Sequence, residues 1–178
     1  MIRCLLAWLF RRYSPGFGYG RGFRPIVWVL VVLTIVEGCV VELVLAFILP
    51  GTLWPVLLLA LHVYALLWVL GLLASLTTRP HVLGPDTLVL RDSVFTELTI
   101  PLAAITSFSP VARPGLLRSG LKIDGDTALF AYGDANLAVH ISPVDDPRLA
   151  GVRHLHITVD DRDRFLAAAS DRLAGQVS

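Results

Sequence analysis

The sequence predicts an α+β membrane protein: a two-helix transmembrane hairpin, then a small, mostly antiparallel β domain of barrel-like outline that closes on one α-helix. Three observations predict it. Two apolar runs, Ile26 to Leu49 and Leu53 to Leu76, each exceed the roughly 20 residues a helix needs to cross a bilayer. After Arg79-Pro80 the pattern changes to short alternating stretches divided by Gly, Pro and Asp. The last segment, DDRDRFLAAASDRLAG, is amphipathic with helical spacing. Composition agrees, since 55% of residues are hydrophobic and only 16% charged, with mean hydropathy +0.70.

Residues 1–25 form an entry segment. MIRCLLAWLFRR is too short in its apolar stretch, and too early closed by Arg11 and Arg12, to be an export signal. It predicts an interfacial helix with Leu5, Trp8 and Leu9 in the headgroup region and Arg3, Arg11 and Arg12 near lipid phosphates. SPGFGYGRGFRP reads as a glycine-rich linker. Its glycines follow no strand, so it is not a phosphate-binding loop.

The hairpin occupies residues 26–78. Trp28 and Trp54 lie near span ends, where indole rings favour the interface. Arg3, Arg11, Arg12, Arg21 and Arg24 precede the first span and Arg79 follows the second. The connecting Pro50-Gly51-Thr52 carries no charge, so the positive-inside rule predicts both termini in the cytoplasm. Cys4 and Cys39 then lie at different depths, and no disulfide is expected. Lys122 is the only lysine beside fourteen arginines, a bias that points to a GC-rich bacterial gene and hence an inner-membrane protein.

Glu37 and Glu42 interrupt the first span and His62 the second. A charged residue at the centre of a span costs about 2.5 to 3.5 kcal/mol on insertion scales, so each needs a reason to be there. If the chain turns at Gly51, a rise of about 1.5 Å per residue puts Glu42 and His62 within about 3 Å of the same depth. Cβ tilt makes their side chains converge. The expectation is a Glu42–His62 hydrogen bond, with Glu37 neutral or bonded to the Trp68 indole or a neighbouring subunit. Such a cluster acts as polar glue between helices, or in an oligomer as a proton or cation path. A metal site of Glu37, Cys39, Glu42 and His62 mixes hard and soft ligands at no known spacing.

Residues 79–178 make the β domain. Alternation marks DTLVLRD, FTELTIP, ITSFSPV, TALFAY, LAVHIS and HLHITVD as strands. In the terminal helix Asp160 or Asp161 caps, Phe165, Ala169 and Leu173 form the apolar stripe, and Gly175 ends it. Alternation puts Leu155, Ile157 and Val159 on one face, and His154, His156 and Thr158 on the other, where His140 can join them. Three imidazoles there could hold zinc, although solvated histidines are the commoner outcome, and no metal or other cofactor is expected. Arg113, Arg118 and Lys122 form a small basic patch for a partner or a headgroup. Asp124, Asp126 and Asp134 are turn residues without calcium-loop spacing.

The stretch RPHVLGPDTLVLRDSVFTELTIPLAAITSFSPV, with the ending HLHITVDDRDRFLAAASDRL, resembles the bacterial pleckstrin-homology-like (PH-like) membrane proteins over residues 79–174. The resemblance implies a cytoplasmic barrel of about seven strands with a C-terminal helix behind a two-span anchor. An OB-like barrel is the other candidate, disfavoured by the terminal helix. The first hairpin offers only Arg91 and the terminal helix has no tryptophan, which argues against phosphoinositide binding, and residues from 79 onward hold 10 basic against 12 acidic groups, which argues against electrostatic docking of this domain onto anionic lipid.

Near-neutral charge, +1 overall, and the lack of a basic stripe exclude nucleic acid as a partner. No nucleophile elbow, P-loop or zinc-binding helix motif is present, so no enzyme is expected. The expected partners are the lipid bilayer and a protein partner or a second copy of the chain. The expected role is a membrane-anchored interaction or scaffold module, the alternative being a subunit of a proton or cation transport assembly that uses Glu37, Glu42 and His62.

Overall fold

The computed structural model describes residues 2–11, 14–49, 51, 53–114, 120–131 and 133–176. Pro50, Thr52, Arg12 and Arg118, named above, lie outside them. Helix α1 spans Ile2–Leu9 and stops where Arg11 turns left-handed, at φ 52°. Helices α2 (Arg24–Ile48) and α3 (Trp54–Thr78) each begin with a proline in the first turn, where its missing N–H costs no hydrogen bond. Each has 25 residues and a mean hydropathy of 2.5, long and apolar enough to cross a membrane. Only 11% of each apolar window is buried within the chain. Valines, leucines and isoleucines instead cover the outside of the hairpin, as a lipid-facing surface requires.

The facing stripes recur every three or four residues. On α2 they run through the buried Val27, Val31 and Gly38, and on α3 through buried Leu73 and Leu76 and half-buried His62 and Val69. Helix α1 packs against α3. Its Leu5 and Trp8 are half-buried, while Leu6, Leu9 and Phe10 are exposed, so the outward apolar face is turned from the one expected.

The strands are β1 (Val82–Leu83), β2 (Thr87–Asp92), β3 (Thr96–Pro101), β4 (Ile105–Arg113), β5 (Leu121–Asp124), β6 (Thr127–Phe130), β7 (Ala135–Ile141) and β8 (His154–Ile157). They form a three-stranded sheet in the order β1-β2-β3 and a five-stranded sheet in the order β4-β7-β8-β6-β5. Every pairing is antiparallel except β6 with β8, which run parallel because the long excursion through β7 returns the chain in the same sense. The six alternating stretches are all strands. Unforeseen were β1 and β5, edge pieces of two and four residues whose short length gives alternation little room to register.

Leu88, Leu90, Leu98 and Ile100 of the small sheet and Phe130, Leu137, Val139, Leu155 and Ile157 of the large one share a single core. Helix α4 (Arg162–Gln176) joins it with Phe165 and Ala169, both fully buried. Asp161 caps this helix by accepting the Arg164 N–H at 3.1 Å. Asp160, the other candidate, accepts the Arg21 N–H at 2.9 Å instead.

That last bond belongs to a strap. Residues 16–20, Gly-Phe-Gly-Tyr-Gly, are not a loose linker: Phe17 exchanges both backbone hydrogen bonds with His81, at 2.8 and 2.9 Å, and the Gly18 carbonyl accepts from the Asp160 N–H at 2.7 Å. Phe17 meets Phe165 edge-on at 4.9 Å, in the β-domain core, while Tyr19 packs with Val27, Leu73 and Leu76 on the helices. The two aromatics, two residues apart, therefore tie the β domain to the ends of α2 and α3. The glycines flanking Phe17 are required by close approach, since a Cβ at Gly16 would collide with the His81 carbonyl and one at Gly18 with the Asp160 carboxylate.

Candidate functional site

Three groups of polar side chains stand out, and the first is within the hairpin. His62 lies against Gly38, where a Cβ would come within 3.3 Å of its ring. The helices are thus offset by two residues from the register of a Gly51-centred turn. Glu42 stands one turn, or about 6 Å, beyond the histidine. The expected Glu42–His62 hydrogen bond is not formed: His62 Nδ1–H donates to the Leu58 carbonyl at 2.9 Å, and Glu42 Oε1 is buried without a hydrogen-bond partner. Glu37 is exposed on another face of α2, and no hydrogen bond joins it to Trp68, which is also exposed. These four residues do not form one cluster. Cys4 and Cys39 are free thiols.

The second group lies on the outer face of the large sheet. His140 of β7 is the direct cross-strand neighbour of His154 on β8, and His156 follows two residues on, so all three imidazoles share this face. Their order is specific. Ser109 Oγ and His140 Nε2 are 2.8 Å apart, His140 Nδ1 and His154 Nδ1 are 2.8 Å apart, and His154 Nε2 faces the Asp126 carboxylate at 3.7 Å. The carboxylate favours the proton on His154 Nε2, so His154 Nδ1 accepts from His140 Nδ1–H, and His140 Nε2 accepts from the Ser109 hydroxyl.

His156 stands apart from these bonds. Its Nδ1 is buried with no hydrogen-bond partner, and burial, with the Arg113 guanidinium and the neighbouring imidazoles adding to it, holds its pKa below the usual histidine value. Among the described residues no three His, Cys, Asp or Glu side chains are grouped to hold a metal ion. Arg113 lies 3.7 Å from the Asp124 carboxylate, with both side chains exposed. Lys122 is exposed on β5.

The third group joins the β domain to the helices, and no sequence motif marks His81 or Tyr19, at its centre. His81 is fully enclosed, stacked on Tyr19 with ring centroids 4.4 Å apart. Its Nδ1 accepts the Arg91 N–H at 3.0 Å, and its Nε2–H donates to the Thr158 carbonyl at 3.2 Å, which fixes a neutral tautomer. Burial pushes its pKa down to about 3. The Tyr19 hydroxyl accepts the Ser93 N–H at 2.7 Å, and the Ser93 hydroxyl is hydrogen-bonded to that of Ser75 on α3. Ser93 sits at φ 54° in the β2–β3 turn, a left-handed conformation held from two sides by these bonds. The available signal is the alternation Gly-Phe-Gly-Tyr-Gly, which has strand period.

Comparison of this chain with protein-family models, with curated proteins and with solved structures finds no match.

Proposed function

We propose that this chain is a two-span protein of a bacterial inner membrane, with both termini cytoplasmic, whose PH-like β domain is a fixed-orientation docking module for a protein partner. The observation that carries the reading is the strap. A freely tethered domain needs only a flexible linker, whereas here Phe17, Tyr19, His81 and Asp160 hold the β domain to the ends of both helices. Such coupling fixes the direction in which the outer face of the large sheet, with His140, His154 and His156, meets the cytoplasm. The arginines at positions 3, 11, 21, 24 and 79 support the orientation. Two sheets on one core with a terminal helix support the PH-like reading.

Purification from native membranes in mild detergent, with native mass spectrometry of the product, tests it. A second protein at fixed stoichiometry is expected, and its loss when His140, His154 and His156 are replaced by glutamine would locate the contact. A chain that stays alone through purification contradicts the reading.

A second reading has its own observation. Glu42 Oε1 is buried without a partner and Glu37 is exposed on an apolar helix, an arrangement that more copies of the hairpin would complete. In that case the protein is a homo-oligomeric transport component. Proton or cation flux in liposomes that Glu37→Gln abolishes would establish it.

A further inference from the structure

Where α1 meets the last turn of α3 and the β2–β3 turn, a groove of about 530 Å³ opens, lined by Arg3, Cys4, Ala7, Ser14, Thr78, Arg79 and Val94. A second hollow, of about 410 Å³, lies along α1 between Arg3, Leu6, Ala7 and Phe10. Arg3 and Ala7 border both. One helix thus has a polar trough and an apolar trough meeting at an arginine.

The polar trough is positively charged. Arg3 and Arg79 both line it, and Arg79 shares the Glu97 carboxylate, at 3.2 Å, with Arg91 at 2.9 Å. Arg3 has no acidic partner among the described residues, and no acidic side chain lines either hollow. The depth also fits a headgroup. Helix α3 is about 37 Å long at 1.5 Å per residue, against a hydrocarbon thickness of about 30 Å, so Thr78 and Arg79 emerge at phosphate level. The exposed Phe10 and Leu6 border the apolar trough, and exposed Phe95 projects from the neighbouring turn.

We propose that these two hollows are one binding site for an anionic phospholipid, with its phosphate between Arg3 and Arg79 beside the Ser14 hydroxyl and an acyl chain along Leu6, Ala7 and Phe10. A free phosphate would use only the polar half, and the contiguous apolar trough is what selects the lipid. The site rests on the membrane reading above. It would tie α1 to the bilayer and add a lipid anchor beside the strap. The mechanism is guanidinium–phosphate pairing at a depth where water screens less than in bulk.

The test uses the full chain in detergent, with thermal unfolding followed as phosphatidylglycerol, phosphatidylcholine or inorganic phosphate is added. Phosphatidylglycerol is expected to raise the midpoint saturably, and Arg3→Gln to weaken that response about fivefold. Arg24→Gln, at the membrane edge but outside the groove, should leave it intact. Equal responses to both lipids, or equal losses in the two variants, would overturn the site in favour of general surface charge. A response to inorganic phosphate matching that to the lipid would overturn the lipid assignment. Alkaline carbonate extraction of the same membranes separates the layers: a chain that stays in the pellet without lipid preference defeats the site alone, and one released to the supernatant defeats the spans beneath it.

Discussion

The Tyr19 ring lies flat on His81, with planes 14° apart, and through its hydroxyl also holds the Ser93 N–H at the head of the β2–β3 turn. One side chain therefore joins the entry segment, the β domain and, through Ser75, the end of α3.

Removing that hydroxyl isolates its effect. Tyr19→Phe keeps the stacking but leaves a buried N–H without an acceptor, and is expected to cost about 1 to 3 kcal/mol in reversible unfolding. Tyr19→Leu also loses the ring contact and should cost more.

Acid should loosen the same junction. The unfolded chain takes up a proton on His81 below its ordinary pKa of 6.5, whereas the folded chain resists until about pH 3, so the unfolded state binds more protons across that window. Stability is fully present above pH 6.5 and falls as pH drops toward 3, by up to about 1.4 kcal/mol per pH unit from this group. His156, also lowered, adds in the same direction. Unfolding measured between pH 7 and 5 should show the slope, and His81→Asn should flatten it.

The strap glycine Gly18 and the nearby Gly22 differ in what they face. Gly18→Ala would press a methyl against the Asp160 carboxylate and should destabilise the fold by about 1 to 3 kcal/mol. Gly22→Ala meets nothing within 4 Å and should be silent in the same assay.

Helix contact in the hairpin depends on Gly38. Its Cβ position is 3.3 Å from the His62 ring, so Gly38→Leu should part the helices and lower the thermal midpoint in detergent, while Gly38→Ala should be mild. Glu42→Gln, which breaks no hydrogen bond, should leave the midpoint nearly unchanged.

What the sequence revealed was periodicity. The two long apolar helices, six of the strands, the capped terminal helix with Phe165 and Ala169 inside, and the shared face of His140, His154 and His156 all follow from spacings of 3.6 or 2. What it concealed depended on register and on distant contacts. A two-residue offset in the hairpin separated Glu42 from His62, because a turn position read from Gly51 alone cannot fix helix offset. Ser109 and Asp126 reach the histidines only once sheet order is known. His81 gave no local sign of burial, since its partners Tyr19 and Thr158 lie 62 and 77 positions away. The strap was hidden by composition, because glycine needed for close packing looks like glycine used for flexibility.

The central claim, that the strap holds the β domain to the helices as one body, is tested most directly by amide hydrogen exchange of the full chain in nanodiscs. The Phe17, His81 and Asp160 amides are predicted to exchange as slowly as those of Leu137 and Val139 in the sheet core. Exchange at the rate of an unstructured glycine-rich linker would contradict the account.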